Sequence, residues 1–260
     1  MALVHPAYGQ LRQVTENAAV LLAENPSVMS LEGTNTWILR APDSDECIVI
    51  DPGPLDEAHL ARVAQVPVAM TLISHRHFDH TEGGERFAEL TGSPVHAVTP
   101  EHRHGGGTEL SGGDVVEAGG LRVRVLATPG HTADSLSFVL EDDRSVLTAD
   151  TILGRGTTVL DDTDGDLGDY LGSLRSYIEL GPGYTVLPGH GAELPDLETI
   201  ARGYLAHREQ RLDQVRSALR TLGDEASARQ VVEHVYADVD ESLWGAAEKS
   251  VNVQLAYLRG

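Results

Sequence analysis

The sequence predicts a mixed α/β domain over residues 1–195 followed by a small all-helical domain over residues 196–260. Short apolar runs closed by Gly, Pro or Ser recur up to about residue 190, with helical patterns between some of them. After Pro195 the apolar residues fall instead at three- and four-residue steps. Histidines and aspartates placed directly after several of the strand-like runs then say where the chemistry lies.

Residues 36–39 and 47–50 read as strands joined by a polar turn containing Pro42, Asp43 and Ser44. Further strands are expected over residues 68–73, 95–98, 121–127, 136–140, 145–148 and 184–187, and helices over 55–64, 82–90 and 170–179. In the second domain Leu197, Ala201, Tyr204, Leu205, Leu212, Val215 and Leu219 mark one long amphipathic helix, with two more over 227–236 and 243–258. No repeat of solenoid period is visible.

The chain has 260 residues, 41% hydrophobic and 23% charged, which is the mix of a folded globular protein. Its 19 Lys and Arg against 40 Asp and Glu give −21, which argues against non-specific attraction to nucleic acid or anionic membrane. Residues 1–195 hold 11 basic and 29 acidic side chains (−18), and residues 196–260 hold 8 and 11 (−3). With no basic stripe, the helical domain is expected to serve packing or a homodimer contact rather than duplex DNA. The single cysteine, Cys47, excludes an internal disulfide framework and a cysteine-built zinc site. Neither a leader-like start nor an apolar run of membrane-spanning length is found, so a cytoplasmic protein without membrane contact is expected.

Ser74-His75-Arg76-His77-Phe78-Asp79-His80 follows the apolar run ending at Ile73. In an extended segment His75 and His77 point the same way and can grip one ion, while a turn after Phe78 carries Asp79 and His80 toward a second. Imidazole and carboxylate are the donors expected for zinc or similar divalent ions. The pattern recurs in Thr128-Pro129-Gly130-His131, Ala149-Asp150 and Pro188-Gly189-His190, each after a strand. Strand carboxyl ends are where loops of α/β sheets gather into a site. His102 and His104 also form an HxH pair, but without a following Asp-His, and are expected to line a loop. Asp162, Asp164 and Asp166 alternate as in a calcium loop, yet Gly168 falls one place late and Ser173 stands where a bidentate Glu belongs, so a solvated acidic loop is expected.

The order HxHxDH, PGHT, strand-end Asp, PGH resembles the metallo-β-lactamase-fold hydrolases over residues 28–191. That resemblance implies an αββα sandwich with two divalent metal ions, most simply Zn2+, at one edge. His75, His77 and His131 would hold the first ion, Asp79, His80 and His190 the second, and Asp150 would bridge them. Asp51 would hydrogen-bond to a ligand histidine. Gly33-Thr34-Asn35-Thr36, Ile50-Asp51-Pro52-Gly53, the segment 152–159, His207-Arg208 and the terminal Val253-Gln254-Leu255-Ala256-Tyr257-Leu258 look like the beta-lactamase-like protein 2 subfamily, with its winged-helix-like tail. The characterised eukaryotic branch of that subfamily cleaves single-stranded RNA.

A metal-bridging hydroxide is then the expected nucleophile, with Asp79 the catalytic carboxylate. Lactamases that use a cysteine ligand would need Cys at position 150, so true β-lactamase activity is disfavoured. The expected enzyme is a hydrolase of a small ester or thioester; the alternatives are an endoribonuclease and a non-catalytic metal-stabilised binding protein. Arg76, Arg103 and Arg155 could meet a phosphate, and Arg76, Thr157 and Thr158 could line the substrate.

Overall fold

The computed structural model describes residues 5, 7–160, 163–237, 240–241 and 244–260. The start of the chain read for a leader (residues 1–4 and 6), Asp161 and Asp162 of the acidic segment, and Leu243 of the last expected helix lie outside the described residues.

Two sheets face each other. The first runs β1 (Arg12–Gln13), β2 (Ala18–Leu22), β3 (Asn35–Leu39), β4 (Cys47–Ile50), β5 (Val68–Leu72) and β6 (Val95–His96), antiparallel to β4 and parallel from there. The second contains β7 (Val115–Ala118), β8 (Leu121–Ala127), β9 (Leu136–Leu140), β10 (Ser145–Ala149) and β11 (Thr185–Pro188), in the spatial order β11-β10-β9-β8-β7. Only β10 and β11 pair in parallel in that sheet.

Strand alternation builds three layers of packing. Ala18, Val20, Trp37, Ile48 and Ile50 point inward against Val123, Val125, Phe138 and Leu147 of the second sheet. The alternate residues Leu21, Ile38, Cys47 and Val49 pack outward on Leu60, Val63 and Phe87, which belong to α1 (Glu57–Val63) and α3 (Gly84–Thr91). Val139, Val146 and Val186 pack on α4 (Leu167–Glu179) and on Leu197, Ala201 and Leu212 of α5 (Leu197–Leu222). Each buried Val, Leu, Ile or Phe among these stabilises the fold by about 1.5–3 kcal/mol. Because both faces are covered, β2 is a continuous apolar run without alternation, which is why its pattern does not declare it a strand.

The helix expected over 82–90 is α3, which starts two residues later, and a separate single turn, α2 (Phe78–Thr81), precedes it; the two are divided at Gly83, whose N–H donates to the Gly53 carbonyl at 2.9 Å. Asp56 caps α1, and Asp166 of the acidic loop caps α4 by accepting from the Asp169 N–H at 2.8 Å. The second half of α5 forms a separate core with α6 (Ala228–Val235), which starts in a Ser227/Gln230 capping box, and α7 (Trp244–Arg259). No described helix is long and apolar enough to cross a membrane.

Candidate metal centre

The residues that follow β4, β5, β8, β10 and β11 come together in one place. Beyond β5 the chain bends at Arg76, and His77, itself extended, begins the single turn of α2, so that Asp79 and His80 swing away from His75 and His77. Asp150 is aimed by a register shift between β10 and β11 and by Ala149 in the left-handed region at φ 44°. Gly130 and Gly189 are required by space. A Cβ on Gly130 would lie 2.3 Å from the Tyr170 nitrogen, and one on Gly189 would lie 2.4 Å from Asp150 Oδ1. Asn35 and Trp37 of the opposite sheet both donate to the Pro188 carbonyl at 3.0 Å, fastening the turn that carries His190.

Two groups result: His75, His77, His131 and Asp150 in one, and Asp79, His80 and His190 in the other, with donor atoms in each within 4.8 Å of one another. Asp150 reaches both, with Oδ2 3.7 Å from His131 Nε2 and 3.2 Å from His190 Nε2. Among the described residues His102 and His104 belong to neither group, and buried His59 faces Thr36 Oγ1 at 2.9 Å.

Hydrogen-bond accounting fixes which ring nitrogen of four of these histidines carries the proton. His131 Nδ1–H donates to the Val159 carbonyl at 2.6 Å and His190 Nδ1–H to the Gly33 carbonyl at 3.1 Å, because carbonyls only accept. His80 Nδ1–H donates to Asp51 Oδ2 at 2.8 Å. Ser74 spends its hydroxyl proton on the same Asp51 oxygen at 2.6 Å, so its oxygen must accept from His75 Nδ1–H at 3.0 Å. With Nδ1 holding a proton, each of these rings points Nε2 into the cluster and offers a lone pair there once it is neutral. His80 Nε2 and His190 Nε2 stand 3.4 Å apart, and His190 Nε2 lies 3.3 Å from Asp79 Oδ2. His77 Nδ1 is 3.0 Å from both His75 Nε2 and His131 Nε2. Asp150 Oδ1 is buried without a hydrogen-bond partner. Nε2 atoms and carboxylate oxygens crowded together in a buried site call for positive charge among them, supplied by protons in the metal-free protein, and this all-nitrogen-and-oxygen set fits a divalent cation.

Proton affinities in the metal-free cluster agree. Burial alone would lower His190, but Asp150 and Asp79 overcome it and push it up to about 11; burial of His80 is likewise outweighed by Asp150, Asp79 and Asp51, which raise it to about 8. Asp150 and Asp79 end well below the usual carboxylate range, since neighbouring His190 and His80 outweigh burial. His75 and His131 are lowered by burial first, and so stay neutral.

The remaining expected site residues lie around this centre. Asp51, itself at φ 52°, anchors Ser74 and His80 rather than joining a donor group. Thr158 is buried and donates to the Asp150 and Thr151 carbonyls at 2.8 and 3.1 Å, while Thr157 is exposed. Arg76 is engaged by Asp164 at 2.8 Å, Arg103 by Glu109 at 3.3 Å and Arg155 by Glu32 at 2.5 Å. The reading of individual residues did not single out Thr34, which donates to Asp79 Oδ2 at 3.1 Å, or Asn25, which holds Thr34. Ser74 was signalled only by its place beside His75.

A two-sheet sandwich flanked by helices, with a buried histidine–aspartate cluster at one edge, defines the metallo-β-lactamase architecture. The model of the metallo-beta-lactamase superfamily matches residues 29–190, and the chain belongs to that superfamily. A beta-lactamase associated winged helix domain matches residues 227–259, the region of α6 and α7. The chain is 31% identical over 222 residues to the lactamase-like protein nscB of Trichophyton rubrum, covering 82% of this chain and 66% of that one. It is also 31% identical over 262 residues to an atrochrysone carboxyl ACP thioesterase of Aspergillus fumigatus, covering 91% and 80%. The chain thus spans just under two thirds of the length of the Trichophyton relatives. A beta-lactamase domain protein from Burkholderia ambifaria has the same fold, with TM-score 0.78 at 23% identity over 100% of this chain and 91% of that one. A metallo-beta-lactamase family protein from Thermus thermophilus shares it too, with TM-score 0.73 at 22% identity over 94% and 93%.

Proposed function

We propose that the protein is a hydrolase with two divalent ions, most simply Zn2+, acting on a small thioester or ester. The observation that carries this reading is the convergence of histidine Nε2 atoms and carboxylate oxygens into two adjoining groups that share Asp150. His75, His77 and His131 would hold one ion, Asp79, His80 and His190 the other, and Asp150 both. When bound, such ions bring the pKa of a shared water toward ~7 and polarise a carbonyl oxygen. Asp79, ionised and fixed by Thr34, orients the attacking water as a hydrogen-bond acceptor. His75 and His131, neutral through burial, supply no acid to the leaving group. That suits a thiol, whose ordinary pKa of about 8.5 lets it depart as thiolate.

Phe78, 73% exposed between His77 and Asp79, and Val159, 49% exposed beside His131, offer apolar surface to an acyl chain. The carboxylate partners of Arg76, Arg103 and Arg155 leave those arginines poorly placed to meet RNA phosphates. The thioesterase named among the relatives supports the acyl reading as well. Zn2+-loaded protein is assayed on an acyl-thioester panel and on a short single-stranded RNA. Thioester hydrolysis is expected, falling by roughly 100-fold or more in His77→Ala and Asp79→Ala. RNA cleavage without thioester turnover, or hydrolysis undiminished in the metal-depleted variants, overturns the proposal.

A further inference from the structure

Three stretches far apart in sequence, residues 157–160, His207 to Arg211 in α5 and Ser250 to Gln254 in α7, enclose a cavity of about 250 Å3. We propose that this cavity binds a small organic anion that carries an apolar group, at a place separate from the metal centre.

The first ground is charge. In a chain of net −21, carboxylates engage Arg76, Arg86, Arg103, Arg124 and Arg155. The cavity is instead lined by Arg208 and Arg211 beside His207, and among the described residues no carboxylate lines it. Arg208 donates one nitrogen to the Thr158 carbonyl and lies over the Tyr170 ring at 4.9 Å; Arg211 donates to Gln214 Oε1 at 2.9 Å and lies over the Tyr236 ring at 5.5 Å. Both positive charges are therefore held in place by neutral groups. Arg208 is also buried, which makes its uncompensated charge costly and an anionic partner correspondingly favourable.

Unmet hydrogen bonding is the second ground. Among the described residues, six buried side-chain atoms have no partner, and three of them belong to this wall: Arg208 Nε, a donor for an anion, His207 Nδ1, which donates in one of its tautomers, and Gln254 Oε1, an acceptor for a hydroxyl or protonated oxygen of the ligand. The rest of the lining is largely apolar, including Val159, Leu160, Leu167 and Val253. Charged donors on one side and aliphatic surface on the other select a ring- or chain-bearing carboxylate or phosphate over an inorganic ion. A polynucleotide does not fit such a volume.

Residues 157–160 lie between this cavity and the centre. Arg208 holds the Thr158 carbonyl, the Thr158 hydroxyl holds the Asp150 carbonyl, and the Val159 carbonyl accepts from His131 Nδ1, on the edge of the ring away from the metal-facing Nε2. An anion on Arg208 and Arg211 thus sits behind the centre and braces the segment that aims Asp150 and His131.

Calorimetric titration of the full chain with benzoate, phenyl phosphate and inorganic phosphate tests the site. Chelator-treated protein and the His77→Ala/Asp79→Ala variant exclude anions held by metal. At least one aromatic anion is expected to bind saturably to all three forms, with Kd within about twofold, and about tenfold more tightly than inorganic phosphate. The stronger of the two aromatic ligands assigns the head group. Arg211→Gln should weaken it by about tenfold or more, and Val253→Trp, which fills the cavity, should abolish it, each with circular dichroism unchanged. Absence of saturable binding in all forms overturns the proposal. So does binding that disappears with the metal ligands, or that survives unchanged in whichever of Arg211→Gln and Val253→Trp folds.

Discussion

Replacing Asp51 by Asn tests the whole proton accounting at once. One carboxylate takes hydrogen bonds from the Ser74 N–H at 2.7 Å, the Ser74 hydroxyl at 2.6 Å and His80 Nδ1–H at 2.8 Å. An amide has a single acceptor oxygen, so whichever way the new side chain turns, one of its N–H groups meets a former donor. If the oxygen stays on the Ser74 N–H, His80 is relieved only by moving its proton to Nε2, which points it at His190 and removes the lone pair meant for the cation. Ser74 then loses its acceptor too, and can turn its hydroxyl toward His75 Nδ1, which moves that ring's proton to Nε2 as well. Each lost charge-assisted hydrogen bond is worth about 1.5–3 kcal/mol. At about 1.4 kcal/mol per tenfold, that is about 10–100-fold in metal affinity. Competition against a chromophoric chelator measures it, with circular dichroism to verify the fold. Ser74→Ala should weaken the ion on His75 and spare the one on His80. Asp51→Asn protein with unchanged affinity for both ions would refute the tautomer assignment.

Other outcomes follow from the same geometry. Gly189→Ala places a methyl group 2.4 Å from Asp150 Oδ1 and 3.0 Å from His80 Cε1, so metal content measured by elemental analysis should fall at both groups. In metal-free protein His80 and His190, raised to about 8 and about 11, hold protons at pH 7; loading with Zn2+ should release them, read as a buffer-dependent enthalpy, and affinity should fall as pH drops. Their stabilisation of the metal-free fold is complete below their ordinary pKa near 6.5 and is lost as pH rises through about 8 and about 11. Chelated protein should therefore unfold more easily in denaturant at pH 9 than at pH 6.5, and the loaded protein should not share that slope. Phe138→Ala removes a fully buried ring between the sheets and should cost about 3–5 kcal/mol in the same experiment.

What the sequence reveals of this centre, and what it conceals, divides along chemical lines. Metal-ligating chemistry needs particular side chains, so His75, His77, Asp79, His80, His131, Asp150 and His190 are visible as residue types after strand-like runs, and the structure gathers them at one edge. The groups that orient them are mostly backbone: the carbonyls of Val159, Gly33 and Pro188 have no residue signature. Ser74 and Thr34 are common residues whose roles depend on which oxygen already holds a proton. Arg76 and Thr158 could be recognised as close to the centre in sequence, but not that one is taken by Asp164 and the other is turned into the Asp150 backbone. β2 stayed hidden because both its faces are buried, and β7 because a short, half-exposed strand carries little pattern.

The acidity of the chain acquires a meaning that a net charge cannot carry. A mean of −21 suggests a surface that repels anions, yet the carboxylates are spent unevenly. Asp79, Asp150 and Asp51 lie among histidines, where two dications would reverse the local sign. Others pair with Arg76, Arg103, Arg124 and Arg155, withdrawing those cations from a polynucleotide groove. The cavity wall differs in that, among the described residues, no carboxylate faces Arg208 and Arg211 there. A protein arranged in this way captures anions through two defined places rather than through its field. Its substrate should therefore be steered by shape and apolar contact, and its turnover should depend only weakly on ionic strength. A polynucleotide substrate would require the opposite, a steep loss with added salt, and the salt dependence of KM separates the two without knowledge of the substrate's full structure.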